Sequence, residues 1–232
     1  MTVQEAINAV PDNNNKWYRI IVKTGLYREK NTYNLGGTPE PITQAVAVLV
    51  GGDKAAFYNC AFESLQDTLC DFQGQHYFKD TYILGGVDFI FGSGQSVYER
   101  CDLHAIQGNW EGPGYVTAQG RESGTDENGF IFKWCNIYAN NGTFYLGRAW
   151  RGFSRVVFYR SKFKANIVPQ GWDAWDYTAE VSNLVYAEQE CQGPGSDTAG
   201  RVAWERKLSR QERKYYINDF NHGSSWLPQQ PS

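Results

Sequence analysis

Asp67 and Asp88 stand 21 positions apart in a chain of 232 residues, each seven residues beyond the same point of a recurring segment. Gln66 directly precedes Asp67, and Gln44 lies 22 residues before Gln66, so the two amides share a phase as the two carboxylates do. Two carboxylates held close together cannot comfortably ionise at once; one keeps a proton and can serve as an acid while the other stays charged. Side-chain amides beside them supply N–H groups that can receive a developing oxyanion. An arginine would decide which carboxylate is charged, and Arg148, in Tyr145-Leu146-Gly147-Arg148-Ala149-Trp150, is the candidate, with Trp150 a candidate face for stacking a sugar. The plainer alternative is two solvated loop carboxylates that merely share a register.

That phase exists because the chain repeats. An aromatic residue opens each copy at Phe57, Phe78, Tyr98, Phe132 and Phe158, and a small residue follows three later at Cys60, Thr81, Cys101, Cys135 and Ser161. A large apolar residue comes two beyond that. The steps of 21, 20, 34 and 26 residues fit a coil whose turns bury their inner faces on one another. Inward positions alternate, as in Cys101 then Leu103, which is the strand period of two. The chain therefore reads as an all-β parallel solenoid, in which equal phase places Asp67 above Asp88 at about 4.8 Å per turn. Short N- and C-terminal helices accompany it: the capping box at Thr2-Val3-Gln4-Glu5 starts one that runs to Val10 and plugs one end of the coil, and Ser209-Arg210-Gln211-Glu212 starts a charged helix on the surface near the C-terminus.

Composition narrows the function. The net charge of −3 offers no basic field for nucleic acid or anionic membrane, and no apolar run is long enough to span a bilayer. The opening Thr2-Val3-Gln4-Glu5 reads as a helix start and not as a signal peptide. Five cysteines without a CxxC pair and three scattered histidines argue against a metal. Cys60, Cys101 and Cys135 share an inward register, and Cys101 and Cys135 on consecutive copies are expected to form a disulfide. Asn141-Gly142-Thr143 is an N-glycosylation acceptor. A Ser-His-Asp hydrolase is disfavoured, since no Gly-x-Ser-x-Gly elbow accompanies His76, His104 and His222. Gly171-Trp172-Asp173-Ala174-Trp175 is balanced between cleft lining and simple packing.

Five ordered blocks carry a resemblance over nearly the whole chain: Gly25-Leu26-Tyr27-Arg28-Glu29, Gln44-Ala45-Val46-Ala47-Val48, Gln66-Asp67-Thr68-Leu69, Asp88-Phe89-Ile90-Phe91-Gly92 and Leu146-Gly147-Arg148-Ala149-Trp150. Together with Gly200-Arg201-Val202-Ala203-Trp204 and Trp226-Leu227-Pro228 they resemble the plant pectinesterases. The resemblance implies one domain over residues 1–232, a right-handed parallel β-helix that removes methyl esters from homogalacturonan without a cofactor. It further implies a secreted cell-wall protein, monomeric, binding pectin and open to a proteinaceous inhibitor. By the same resemblance Asp88 is the nucleophile, Asp67 the proton donor and later base, and Gln66 the stabiliser of the anionic intermediate. Arg148 holds the nucleophile, while Gln44 and Trp150 contact substrate.

The chain also departs from that family. Glu29 runs almost at once into Asn31-Thr32-Tyr33-Asn34-Leu35-Gly36-Gly37, so roughly two turns and a substrate-contacting threonine are missing, and the domain is incomplete towards its N-terminus. Cys70 replaces a tyrosine and is a candidate reactive thiol at the cleft rim; Ala149 replaces a proline. Two alternatives follow: a glycoside hydrolase of the same polymer, which would also use paired carboxylates, and a catalytically incomplete form that only binds pectin.

Overall fold

A computed structural model describes residues 43–230. The capping box at Thr2, the first of the five blocks and the shortened stretch after Glu29 lie outside them. Seventeen short strands alternate among three parallel sheets of six, six and five strands, and every pairing is parallel. The first sheet stacks Val48–Val50, Leu69–Asp71, Ile90–Gly92, Gly114–Gln119, Phe144–Ala149 and Trp172–Asp173. The second runs from Ala55–Tyr58 to Val185–Gln189 and the third from Ala61–Glu63 to Lys162–Phe163. Each sheet takes one strand per turn, so the chain is a three-sided parallel β-helix, with the right hand that parallel crossovers adopt.

The aromatic that opens each copy faces the core of the second sheet. Phe57, Phe78, Tyr98, Phe132 and Phe158 form one ladder of stacked rings with centroids 5.0, 4.7, 4.5 and 4.5 Å apart. Offset stacking adds to the burial of area in such a column. Each strand of this sheet then turns into the third sheet through a left-handed residue: Asn59, Asp80, Arg100, Trp134, Arg160 and Glu190 all have φ between 48° and 56°. The small residue comes next, and its side chain donates back across the corner to the carbonyl two residues earlier. Thr81 reaches Lys79 at 3.1 Å, Cys101 reaches Glu99 at 3.6 Å, Cys135 reaches Lys133 at 3.5 Å and Ser161 reaches Tyr159 at 3.3 Å. Cys, Thr and Ser interchange in the repeat because all three are short donors.

The same arrangement removes the expected Cys101–Cys135 bridge, since all five cysteines are free thiols. Cys101 and Cys135 stack in one register, pointing the same way into the core, and their sulfurs also face the carbonyls of Phe78 and Tyr98. A sixth copy ends on Cys191, which donates to Gln189 in the same manner. Its opening position, paired with Phe158, is Glu188 rather than an aromatic. Glu188 is buried and held by Arg201 through bonds of 2.6 and 3.1 Å. The ring ladder thus stops on an ion pair supplied by the C-terminal segment.

Outside the second sheet lies a smaller apolar layer of Tyr77, Val97, Ile131 and Val157, covered by Tyr216, Phe220 and Trp226. The helix Arg210–Asn218 brings Tyr216, and Ser209 and Glu212 form its capping box as the sequence indicates. The other helix expected at the coil end lies outside the described residues.

Candidate active site

The turns from the third sheet into the first carry both aspartates. Gln66 bridges Val87, and the Asp67 N–H donates to the Val87 carbonyl at 3.0 Å, which sets Asp67 and Asp88 in register on consecutive turns. Both have left-handed backbones, φ 62° and 48°. Strained conformations of this kind persist where surrounding structure holds them and gather at functional sites. The carboxylates are not solvated loop groups, since each residue is only 7% exposed. The Ala45 N–H donates to Gln66 at 3.1 Å, placing Gln44 beside Gln66 one turn earlier.

Arg148 reaches Asp88 from two strands away. In the first sheet Phe91, Ala118 and Arg148 lie side by side on consecutive strands, so the guanidinium crosses roughly 9–10 Å of stacking, two strand spacings. The small side chain of Ala118 lets it pass. Behind it Gly147 is obligatory, because a Cβ there would stand 2.1 Å from the Thr117 hydroxyl. Arg148 grips Asp88 with both prongs, Nε to Oδ1 at 2.8 Å and Nη2 to Oδ2 at 2.6 Å. This geometry is open to arginine and not to lysine.

The two carboxyls are thereby sorted. Burial raises the Asp67 carboxyl to about 6, helped by the charge of Asp88 and opposed by Arg148 and a hydrogen bond from Gln44. Burial also raises Asp88, but the two bonds and the charge of Arg148 pull against it. Asp88 has the cation as partner; Asp67 is the one that holds a proton into the mildly acidic range.

Rings surround this pair. The guanidinium lies 3.6 Å from the Trp175 ring centre and 4.3 Å from that of Tyr115. Trp150 stands farther along, edge-to-face with Phe91 at 6.0 Å and beneath Arg151 at 4.7 Å. Of the Gly171–Trp175 segment, Trp172 is core and Trp175 is cleft: the first is 1% exposed, the second 39%. Cys70 is not the reactive thiol expected. It is 6% exposed, and burial with the charges of Asp71 and Asp67 pushes it up to about 11.

The histidines are spent elsewhere. His76 is buried between Asp71 at 2.5 Å and the Gly52 carbonyl at 2.8 Å, and Tyr98 donates to the other Asp71 oxygen at 2.6 Å. His104 meets the Tyr82 hydroxyl, and His222 lies near Glu127. Among the described residues no cluster of three His, Cys, Asp or Glu could hold a metal. No described helix is long and apolar enough to cross a membrane.

A coil with paired aspartates, flanking amides and an arginine clamp can be compared with known proteins. The family model described as Pectinesterase matches residues 31–224. The chain belongs to the pectinesterase family. "Probable pectinesterase 29" of Arabidopsis thaliana is 41% identical over 90% of this chain and 79% of its own length. "Putative pectinesterase 11" of the same plant is 38% identical over 99% of this chain and 78% of its own. Among solved structures, the pectin methylesterase from carrot superposes with TM-score 0.76 at 35% identity, over 80% of this chain. That from Aspergillus niger gives 0.70 at 32%, over 84%. The match spans 62% of the carrot chain and 63% of the fungal one, under two thirds of either.

Proposed function

We propose that this pectinesterase removes methyl esters from homogalacturonan, giving free carboxylates and methanol, with Asp88 as nucleophile and Asp67 as acid and then base. The observation that carries the reading is the two-pronged Arg148–Asp88 pair beside a second, proton-holding carboxyl on the next turn. In this reading Asp88 attacks the ester carbonyl carbon, and the amides of Gln66 and Gln44 donate to the oxyanion. Collapse breaks the bond to methoxide, which leaves as methanol with the Asp67 proton. Asp67, now charged, takes a proton from water as it attacks the acyl–Asp88 anhydride, which restores both carboxyls. Trp150 and Trp175 offer ring faces to the sugar chain. The chemistry needs no cofactor, the chain acts as a monomer, and the open cleft is the surface a proteinaceous inhibitor would cover. The bond to Asp67 ties Gln44 to the site in the free protein.

The test is methanol release from highly methylated pectin, with Asp88→Asn as control. Methanol from the parent and none from the variant, whose far-ultraviolet circular dichroism is unchanged, is the expected result; methanol from both would remove Asp88 from its role. New reducing ends without methanol would instead indicate a glycoside hydrolase. The short match gives a second reading, a form that binds pectin without turnover, and pectin retention by parent and variant alike with no methanol from either would favour it. We place the protein in the cell wall; Asn141 sits in an exposed turn where an oligosaccharyltransferase could reach it. A loss of mass on endoglycosidase treatment of the plant-expressed chain, absent from Asn141→Gln, is expected; no change would count against a secretory route.

A further inference from the structure

The Arg148 guanidinium is packed against rings from the turn before it and the turn after it, and one carboxylate ties both rings in place. Tyr115 lies on the strand Gly114–Gln119 that precedes Arg148, Trp175 just beyond the strand Trp172–Asp173 that follows, and Arg148 and Asp173 are paired neighbours. Asp173 Oδ2 accepts from the Tyr115 hydroxyl at 3.1 Å, and Oδ1 accepts from the Trp175 main-chain N–H at 2.8 Å. Trp175 is a bulky residue with φ 50°, a conformation that needs a local tie, and the Asp173 acceptor two residues back supplies it. Tyr145 stacks on Tyr115 at 5.1 Å, which adds a further hold on that ring.

We propose that Asp173 is a positioning residue: by holding Tyr115 and Trp175 against Arg148 it fixes the guanidinium that carries the nucleophile Asp88. This rests on the esterase reading for its kinetic consequence but not for its geometry. Asp173 acts through other residues and touches no reacting atom. Burial and the Asp173 charge push the Tyr115 phenol up to about 12, so it stays a donor throughout the working range. The Asp173 charge also raises Asp88, against the pull of Arg148. Removing the charge alone and removing the ties therefore have opposite signs.

Asp173→Ala and Asp173→Asn separate them. Asp173→Ala, which loses both ties, is expected to lower kcat about 10- to 100-fold, the scale of an ångström of misplacement, with KM little changed. It should also move the acid limb of the pH profile upward, because for Asp88 the loosened Arg148 bonds and charge outweigh the lost Asp173 charge, the smallest of the influences on it. Asp173→Asn keeps an oxygen acceptor for the Trp175 N–H and sets an amide N–H against the Tyr115 hydroxyl oxygen, which can accept from it, so the variant should recover most of that kcat and shift the acid limb downward. Tyr115→Phe should cost part of the same factor in the parent and nothing further in Asp173→Ala, where the tie it cuts is already gone. A purely structural role would lower the yield of folded protein and leave the pH limbs where they were. Equal kcat and pH limbs in Asp173→Ala and parent, or equal loss in the Ala and Asn variants, would overturn the proposal. If the parent releases no methanol the esterase reading fails by itself, and the clamp is then read from the Arg148 Nε–H resonance. Slow solvent exchange in the parent and at least tenfold faster exchange in Asp173→Ala would uphold it; equal exchange would overturn it.

Discussion

At the scale of the residue, Asp67 and Asp88 share backbone conformation, burial and register, yet only Asp88 has Arg148, and that asymmetry assigns their protons. The Asp67 carboxyl, raised to about 6, must be protonated to give its proton to the leaving group. The rate constant kcat/KM should therefore fall as pH rises through about 6, and fall again at low pH as Asp88 takes up a proton. A flat profile from pH 5 to 8 would refute the assignment. Asp67→Asn should cut kcat by about 10²-fold or more. The same substitution should stabilise the fold at high pH. Because the folded-state carboxyl lies above its ordinary value of 3.8, the fold loses stability as pH rises between about 4 and 6, where Asp67 ionises in a buried place. The amide has nothing to ionise, so at pH 8 the variant should resist urea better by roughly 1–2 kcal/mol, the gap closing below pH 4. The aspartates, the amides and Arg148 were legible from phase and motif. Tyr115 and Asp173 were not, because their tie joins residues 58 positions apart and follows no repeat; the one trace was that Tyr115 and Tyr145 occupy equal places on neighbouring strands.

At the scale of the element, every turn of the coil reuses one corner: ring, left-handed residue, short donor. Phe132, unexposed and stacked at 4.5 Å on both Tyr98 and Phe158, should cost about 3–5 kcal/mol when truncated to Ala, measured by denaturant unfolding. The double change Cys101→Ser and Cys135→Ser keeps a donor at each corner and should cost under about 1.5 kcal/mol, whereas loss of a disulfide of that loop length would cost about 2–5 kcal/mol. Thiol titration of the denatured, unreduced chain should return five groups. The repeat announced the strands and their order. It misled on the cysteines because two in one register on adjacent strands satisfy a distance rule, while the corner carbonyls that engage them are invisible in the sequence. It also missed the sixth turn, where Glu188 stands in place of a ring and Arg201 makes the acid tolerable. That pair is 2–3% exposed, so Arg201→Ala should cost about 3–5 kcal/mol by stranding a buried charge.

At the scale of the molecule, the repeat foretold the coil and two capping boxes foretold a short helix towards each terminus; the described part contains the C-terminal helix, which lies on the outer face of the second sheet rather than free on the surface. How the shortened stretch ahead of Gln44 is accommodated lay beyond the reach of sequence, since each turn of a solenoid senses only its neighbours. The reach of Arg148 over two strands has a wider meaning. It makes the site a gauge of length. Insert one turn between residues 88 and 148, and the guanidinium recedes by about 4.8 Å, farther than any hydrogen bond stretches. Remove one before Gln44, and the distance from Asp67 through Asp88 to Arg148 does not change. Whole turns can thus be gained or lost at the ends of the coil, while the few strands between the two acids and their arginine are fixed in number.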